Sequence, residues 1–157
     1  MNARKTILLI EDNSSDVELT RRAMSKAKIS TELVVAEDGP KAMDYLRGEG
    51  TYAGRSIAEA PSLVLLDLKL PGVPGLEVLR SIRADRRLRR IPVVILTSSK
   101  YEGDVSAGYD SGANSYVQKP VDFKAFQFVI EHLALYWLSL NEPSPPVELD
   151  SGSVQRP

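Results

Sequence analysis

Five positions in this chain carry side chains that could work together: the acidic pair Glu11-Asp12, then Asp67, Thr97 and Lys119. Carboxylates gathered in one place repel one another and favour a hard cation. An oxygen-only donor set with no His or Cys suits Mg²⁺ or Mn²⁺. A divalent ion beside a carboxylate nucleophile and a lysine is what phosphoryl transfer requires. The ion and the ammonium neutralise phosphoryl oxygens, a threonine hydroxyl donates a hydrogen bond, and the carboxylate attacks to give an acyl phosphate. Asp67 is the one of the three acids that combines a preceding run of four aliphatic residues, Leu63-Val64-Leu65-Leu66, with a following Pro71-Gly72 turn. It is therefore the candidate nucleophile. The turn can present backbone N–H groups to phosphoryl oxygens, and the main-chain carbonyl of Lys69 can complete the coordination of an ion.

These residues can meet only if the elements before them end on one edge. Short aliphatic runs at 7–10, 31–36, 63–66, 92–96 and 114–118 alternate with longer amphipathic stretches. Continuous apolar runs stopped by Pro or Gly read as buried strands of a parallel sheet. Five strands, each followed by a helix, imply an α/β fold whose right-handed crossovers cover both faces. The carboxyl ends of such strands form the crevice where ligands bind. The expected positions are Glu11 and Asp12 after the first strand, Asp67 after the third, Thr97 after the fourth and Lys119 after the fifth.

Helix signals fall between the strands. Ser15 with Glu18 three residues on reads as a capping box, and Pro40 suits a first helical turn after Asp38. Asp122 can cap a last helix in which Phe123, Phe126, Ile130, Leu133 and Trp137 recur at helical spacing. The fourth helix, about 101–111, contains Gly103 and Gly108. Interior glycine costs around 1 kcal/mol relative to Ala, so this helix is expected to be the least self-sufficient. Residues 48–61, with three glycines, make a long connection that is either a mobile loop or one holding a short extra turn. Arg83, Asp85, Arg86, Arg87, Arg89 and Arg90 read as a solvated helix end. The Pro-containing stretch 143–157 reads as a flexible tail after a single domain spanning 1–142.

Composition narrows the function. A net charge of −1 across 157 residues gives no reason to expect nucleic acid or an anionic membrane as the main partner. The absence of cysteine removes thiol catalysis and thiolate metal sites. With no leader or membrane span at the start, a cytoplasmic location is expected. No GxGxxG or GxxxxGK[ST] follows the first strand, which argues against a nucleotide fold. Direct DNA binding is not expected either. His132 is the single histidine and lies in the last helix, away from the acidic edge, so it is given no catalytic role.

The same residues carry a family resemblance. The chain resembles bacterial response regulator receiver domains, and in particular the single-domain receivers paired with phytochrome-type histidine kinases. Glu11 and Asp12 match the acidic pair, Asp67 the phospho-acceptor, Thr97 the switch hydroxyl, Tyr116 the switch aromatic and Lys119 the lysine of that family. Glu11 stands where Asp is commoner, which makes Asp12 the better candidate for direct ligation. The resemblance implies a flavodoxin-like (βα)5 fold with strand order 2-1-3-4-5 and a cis Lys119–Pro120 bond. It also implies Mg²⁺ dependence, a histidine kinase as phosphoryl donor, and tuning of hydrolysis by Lys69 and Ser99. Dimerisation would run through the fourth helix, fifth strand and fifth helix, with Tyr101, Tyr116, Phe126 and Trp137 as partner-surface candidates. The apolar excess around Leu135, Tyr136, Trp137 and Leu140 agrees with such a surface.

Two other functions fit parts of the pattern. A Mg²⁺-dependent aspartyl phosphohydrolase is disfavoured, because Leu68-Lys69 follows Asp67 with no second acid two residues on. A phosphorylation-independent interaction module of the same fold would leave partner binding intact in Asp67→Asn.

Overall fold

Apolar residues at both parities of each inner strand can be buried only if helices cover both faces of the sheet. The computed structural model, which describes residues 5–57 and 59–145, has this arrangement. In chain order it runs β1 (Thr6–Ile10), α1 (Ser14–Lys26), β2 (Glu32–Ala36), α2 (Gly39–Arg47), β3 (Leu63–Leu66), α3 (Gly75–Ala84), β4 (Val93–Thr97), α4 (Glu102–Asp110), β5 (Ser115–Gln118) and α5 (Phe123–Leu135). All pairings are parallel and the strand order is 2-1-3-4-5, as expected. Of the tail at 143–157, residues 146–157 lie outside the described residues.

Alternation along the strands divides the core. Leu8, Ile10, Val64, Leu66, Val93 and Ile95 face Ala42, Tyr45, Leu46, Val78, Leu79 and Ile82 of α2 and α3. Ile7, Leu9, Leu63, Leu65, Val94 and Leu96 face Ala23 and Met24 of α1 and Phe126, Ile130 and Ala134 of α5. Each fully buried aliphatic side chain contributes about 2 kcal/mol, so the middle of the sheet is a firm platform for whatever its edge carries.

Helix starts follow local chemistry, with one correction. Asp38 and Asp122 cap α2 and α5, accepting from Lys41 N at 2.8 Å and Ala125 N at 3.0 Å. In α1 the cap is Asn13 rather than Ser15: Asn13 is extended and its Oδ1 accepts from Asp16 N at 3.1 Å. Asn caps at least as well as Ser, and here it comes first in the chain, so the helix begins earlier and Ser15 falls inside it.

The 48–61 connection holds a short 3₁₀ turn, Gly50–Tyr52. Arg55 organises it by donating to the carbonyls of Tyr45, Leu46, Ser56 and Glu59 while lying 4.1 Å from the centre of the Tyr45 ring. The basic cluster is likewise only partly solvated. Arg83 donates to the carbonyls of Gly112, Arg89 and Ile91 and to Asn114 Oδ1, and Asp85 takes Arg47 and Arg87. Beyond α5 the chain adds a π-helical turn, Tyr136–Leu140, that buries Leu138. Among the described residues no helix is long and apolar enough to cross a membrane.

Candidate functional site

Strand register assembles the site. Ile10 pairs with Leu66, so the next residues, Glu11 and Asp67, emerge side by side, and Asp67 N still donates to Ile10 O at 3.1 Å. Thr97 is the last residue of β4, and Lys119 N donates to its carbonyl at 2.7 Å. The carboxyl edge therefore gathers Glu11, Asp12, Asp67, Thr97 and Lys119, the five residues singled out from sequence.

Asp67 is 8% exposed and both its oxygens are engaged. Oδ1 accepts from Thr97 Oγ1 at 2.8 Å and from Lys69 N at 3.2 Å, while Oδ2 accepts from Lys119 Nζ at 3.0 Å. The backbone behind it is clamped by Gly75 at the start of α3. A Cβ at Gly75 would lie 2.3 Å from Asp67 O and 2.8 Å from Leu68 Cα, so only glycine allows α3 to approach the site this closely.

Electrostatics assign different states to the two buried acids. Burial pushes the Glu11 carboxyl up to about 7, against the pull of Lys119 and with the further push of Asp67. Burial also raises Asp67, but the Lys119 charge and hydrogen bonds from Lys119 and Thr97 outweigh it, leaving Asp67 below its ordinary value. Of this coupled pair Asp67 is the ionised member, and Glu11 is the one that readily holds a proton. Lys119 lies above its ordinary value: burial opposes the charge, but Asp16, Glu11 and Asp67 more than compensate.

A divalent ion fits this donor set. Glu11, Asp12 and Asp67 each offer an oxygen within 4.8 Å of the others, and Asp12 is exposed while its two neighbours are buried. The proton drawn to Glu11 near neutrality reflects first its burial away from water and then the neighbouring Asp67 charge, both of which penalise the ionised form. A dication would offset that penalty. Lys69 contributes a backbone N–H to Asp67 Oδ1, a contact distinct from the carbonyl donation expected of it.

Sequence reasoning missed Asp16. Its Oδ2 accepts from Lys119 Nζ at 2.8 Å, alongside Glu11 Oε1 at 2.5 Å. The available signal was an acid in the first turn of α1, which reads equally well as a complement to the helix dipole.

Two expectations are corrected. The Lys119–Pro120 bond is trans, the intrinsically preferred isomer, and there is no cis peptide bond among the described residues. Phe126 is not a surface residue: at 3% exposure it belongs to the core beside Ile130 and Ala134, because that helical phase faces the sheet. The aromatic that α5 does expose is Phe128, stacked on His132 at 3.9 Å. Tyr101 is exposed as expected, and Trp137 is half-buried against the core. Tyr116 is half-buried beneath α4 and donates to Ser99 O at 2.8 Å.

An acidic pocket with a lysine and a threonine on the carboxyl edge of a 2-1-3-4-5 parallel sheet is the arrangement of a flavodoxin-like receiver fold. The family model for the response regulator receiver domain matches residues 7–131, and the chain belongs to that family. Phosphotransfer from a partner kinase is the general role of such domains. The chain is 42% identical over 141 residues to the probable methanogenesis regulatory protein FilR2 of Methanothrix harundinacea, covering 89% of this chain and 88% of that protein. It is 38% identical over 137 residues to the response regulator Rcp1 of a Synechocystis strain, covering 87% and 91%. The Mn²⁺-bound form of Rcp1 superposes with a TM-score of 0.80 over 89% of this chain and 99% of that one, at 36% identity. The phosphorylated cyanobacterial phytochrome response regulator RcpA superposes with a TM-score of 0.83 at 40% identity, over 90% and 99%.

Proposed function

We propose that this receiver accepts a phosphoryl group onto Asp67 from the phosphohistidine of a sensor histidine kinase in a Mg²⁺-dependent reaction. The observation that carries the reading is the state of Asp67: a buried carboxylate kept ionised by Lys119, within reach of two further acids. In the step, the P–N bond of phosphohistidine breaks as an Asp67 Oδ–P bond forms. The electron pair leaves on the imidazole nitrogen, which takes up a proton from solvent. A bound divalent ion supplies positive charge to the phosphoryl oxygens. Glu11, Asp12 and Asp67 would hold that ion, with the Lys69 carbonyl as a further donor. Lys119 adds a second fixed charge, and Thr97, already turned to Asp67, donates to the new acceptor oxygens.

The kinase is proposed to be of the phytochrome type, because RcpA, so similar over nearly the whole chain, is a phytochrome response regulator. Output is proposed to leave through α4, β5 and α5, with Tyr116 linking Thr97 to that surface and Tyr101 and Trp137 beside it. The exposed Leu135, Tyr136 and Leu140 support a homodimer there.

The test is incubation with Mg²⁺ and a small phosphoryl donor, followed by intact and peptide mass. One phosphoryl group on Asp67, absent in Asp67→Asn and after chelation, is the expected result. Label elsewhere, or partner binding unchanged by Asp67→Asn, would overturn it.

A further inference from the structure

Lys119 has three carboxylate partners among the described residues, and two of them have other duties. Its Nζ lies 2.5 Å from Glu11 Oε1, 2.8 Å from Asp16 Oδ2 and 3.0 Å from Asp67 Oδ2. Glu11 and Asp67 also belong to the trio whose oxygens can share an ion, and Asp67 is the acceptor proposed above. Asp16 stands outside that trio. We propose that Asp16 is the positioning residue of Lys119: it keeps the ammonium at the acceptor while Glu11 and Asp67 serve a divalent ion and the phosphoryl group.

The backbone around Asp16 suits an anchor. Its N–H is taken by Asn13 Oδ1 at 3.1 Å, and its carbonyl accepts from Thr20 Oγ1 at 2.8 Å, with Thr20 itself buried. The helix that carries it packs through Ala23 and Met24 against the α5 side of the core. Asp16 is therefore held by α1 and its cap, and within that support only Asn13, which follows Asp12 and donates its N–H to Glu11 Oε2 at 3.2 Å, adjoins the proposed metal ligands. An ammonium whose other two partners are shared with an ion needs one carboxylate with a single task. Without it, Lys119 is free to leave the phosphoryl oxygens for solvent. The role rests on the reading of Asp67 as acceptor, and it concerns where Lys119 is held rather than any contact of Asp16 with phosphorus.

The test uses the full chain and two readouts. In the first, the Lys119 Nζ–H₃ resonance of ¹⁵N-labelled protein, assigned with Lys119→Ala, is followed while Mg²⁺ alone is added. The wild type is expected to keep a protected ammonium at saturating Mg²⁺, and Asp16→Asn to lose it. In the second, phosphorylation by a small donor is measured at saturating Mg²⁺. Loss of one charge-assisted hydrogen bond predicts a rate about tenfold lower in Asp16→Asn, with little change in half-saturating donor. Mg²⁺ affinity should move by no more than about threefold, since Asp16 acts on the ion only through a partly exposed charge. Asp16→Glu should recover most of the rate. An ammonium that stays protected in Asp16→Asn, or a rate that does not fall, would overturn the proposal. So would a loss of Mg²⁺ affinity as large as the loss of rate, because Asp16 would then be acting on the ion. A wild type that takes no phosphoryl group on Asp67 would instead sink the reading of the function. The resonance needs no phosphoryl group and would still decide whether Asp16 anchors Lys119.

Discussion

α4 and α5 stand on opposite faces of the sheet near the same edge strand, and they are held in opposite ways. α5 buries Phe126, Ile130 and Ala134 in a core shared with Ala23 and Met24 of α1. α4 buries only Gly108, whose bare Cα lets Ile95 and the Tyr116 ring come close: a Cβ there would lie 2.8 Å from Ile95 Cδ1 and 3.2 Å from Tyr116 Cδ2. What holds the start of α4 is polar. Ser99 Oγ donates to Asp104 Oδ2 at 2.6 Å and accepts from Tyr101 N at 3.3 Å, while Tyr116 reaches Ser99 O. Apolar burial resists small changes at the carboxyl edge, whereas a few hydrogen bonds begun two residues after Thr97 can follow them. α5 is fixed by its core face, whereas the start of α4 is fixed by hydrogen bonds that begin beside the site, on the route proposed above for output.

The comparison is broken most directly by truncating each helix. Phe126→Ala should cost about 3–5 kcal/mol, because it empties a closed core position. Val105→Ala, at a half-buried position of α4, should cost about 1 kcal/mol. Urea midpoints at constant slope measure both, and equal losses would end the claim that the two helices are held differently.

The second effect lies at the site between them. Glu11 has its carboxyl raised from 4.5 to about 7, chiefly by burial. A raised acid binds its proton more tightly in the folded state, so its contribution is full below the unfolded value and is lost as pH rises towards 7. At about 1.4 kcal/mol per pKa unit, this amounts to about 3 kcal/mol, and a Mg²⁺ ion held as proposed would compete for the same carboxylate. The rise in melting temperature produced by Mg²⁺ should therefore be larger at pH 8 than at pH 6. Glu11→Gln should flatten that pH dependence. A Mg²⁺ effect independent of pH in the wild type would remove Glu11 from the ion site.

A smaller loss is expected at Gly75. Gly75→Ala puts a methyl group into the Asp67 and Leu68 backbone, which cannot rotate away as a side chain would. Overpacking of this kind costs about 1–3 kcal/mol. Because the strain falls on Asp67, the rate of phosphoryl uptake should fall too. Stability lost with no change in rate would place the clamp outside the chemistry.

What the residues revealed in advance divides along the same line. Strands were legible because Leu63 to Leu66 and Val93 to Leu96 are apolar at both parities, and their order of appearance put Asp67, Thr97 and Lys119 at strand ends. Asp38, Pro40 and Asp122 marked helix starts because capping is local chemistry. Asp16 was hidden because its partner lies 103 residues away, and nothing nearby distinguishes it from an acid complementing a helix dipole. Phe126 and Phe128 are two residues apart in one helix, and the choice of buried partner depends on the helix's rotation against the sheet. Arg55 ordering the 48–61 connection has the same origin: its acceptors are backbone carbonyls, which leave no trace in residue type.

The finest test of the comparison is the hydroxyl of Tyr116. Tyr116→Phe removes one hydrogen bond to Ser99 O and leaves the ring in place under α4. Water can satisfy the exposed side of the carbonyl, so the cost should be about 1 kcal/mol, or roughly fivefold in a local opening equilibrium. If α4 is secured by that bond and the Ser99–Asp104 pair, amides from Val105 to Tyr109 should exchange several-fold faster in the variant. Amides from Phe126 to Ala134 should not change. Adding Mg²⁺ with beryllofluoride as a phosphoryl mimic should then alter protection across 101–116 in the wild type, and less so in the variant, because the link from Ser99 to Tyr116 has been cut. Equal acceleration in α5 would mean that both helices open as one unit, and unchanged protection across 101–116 in the wild type would leave the acceptor with no route to α4.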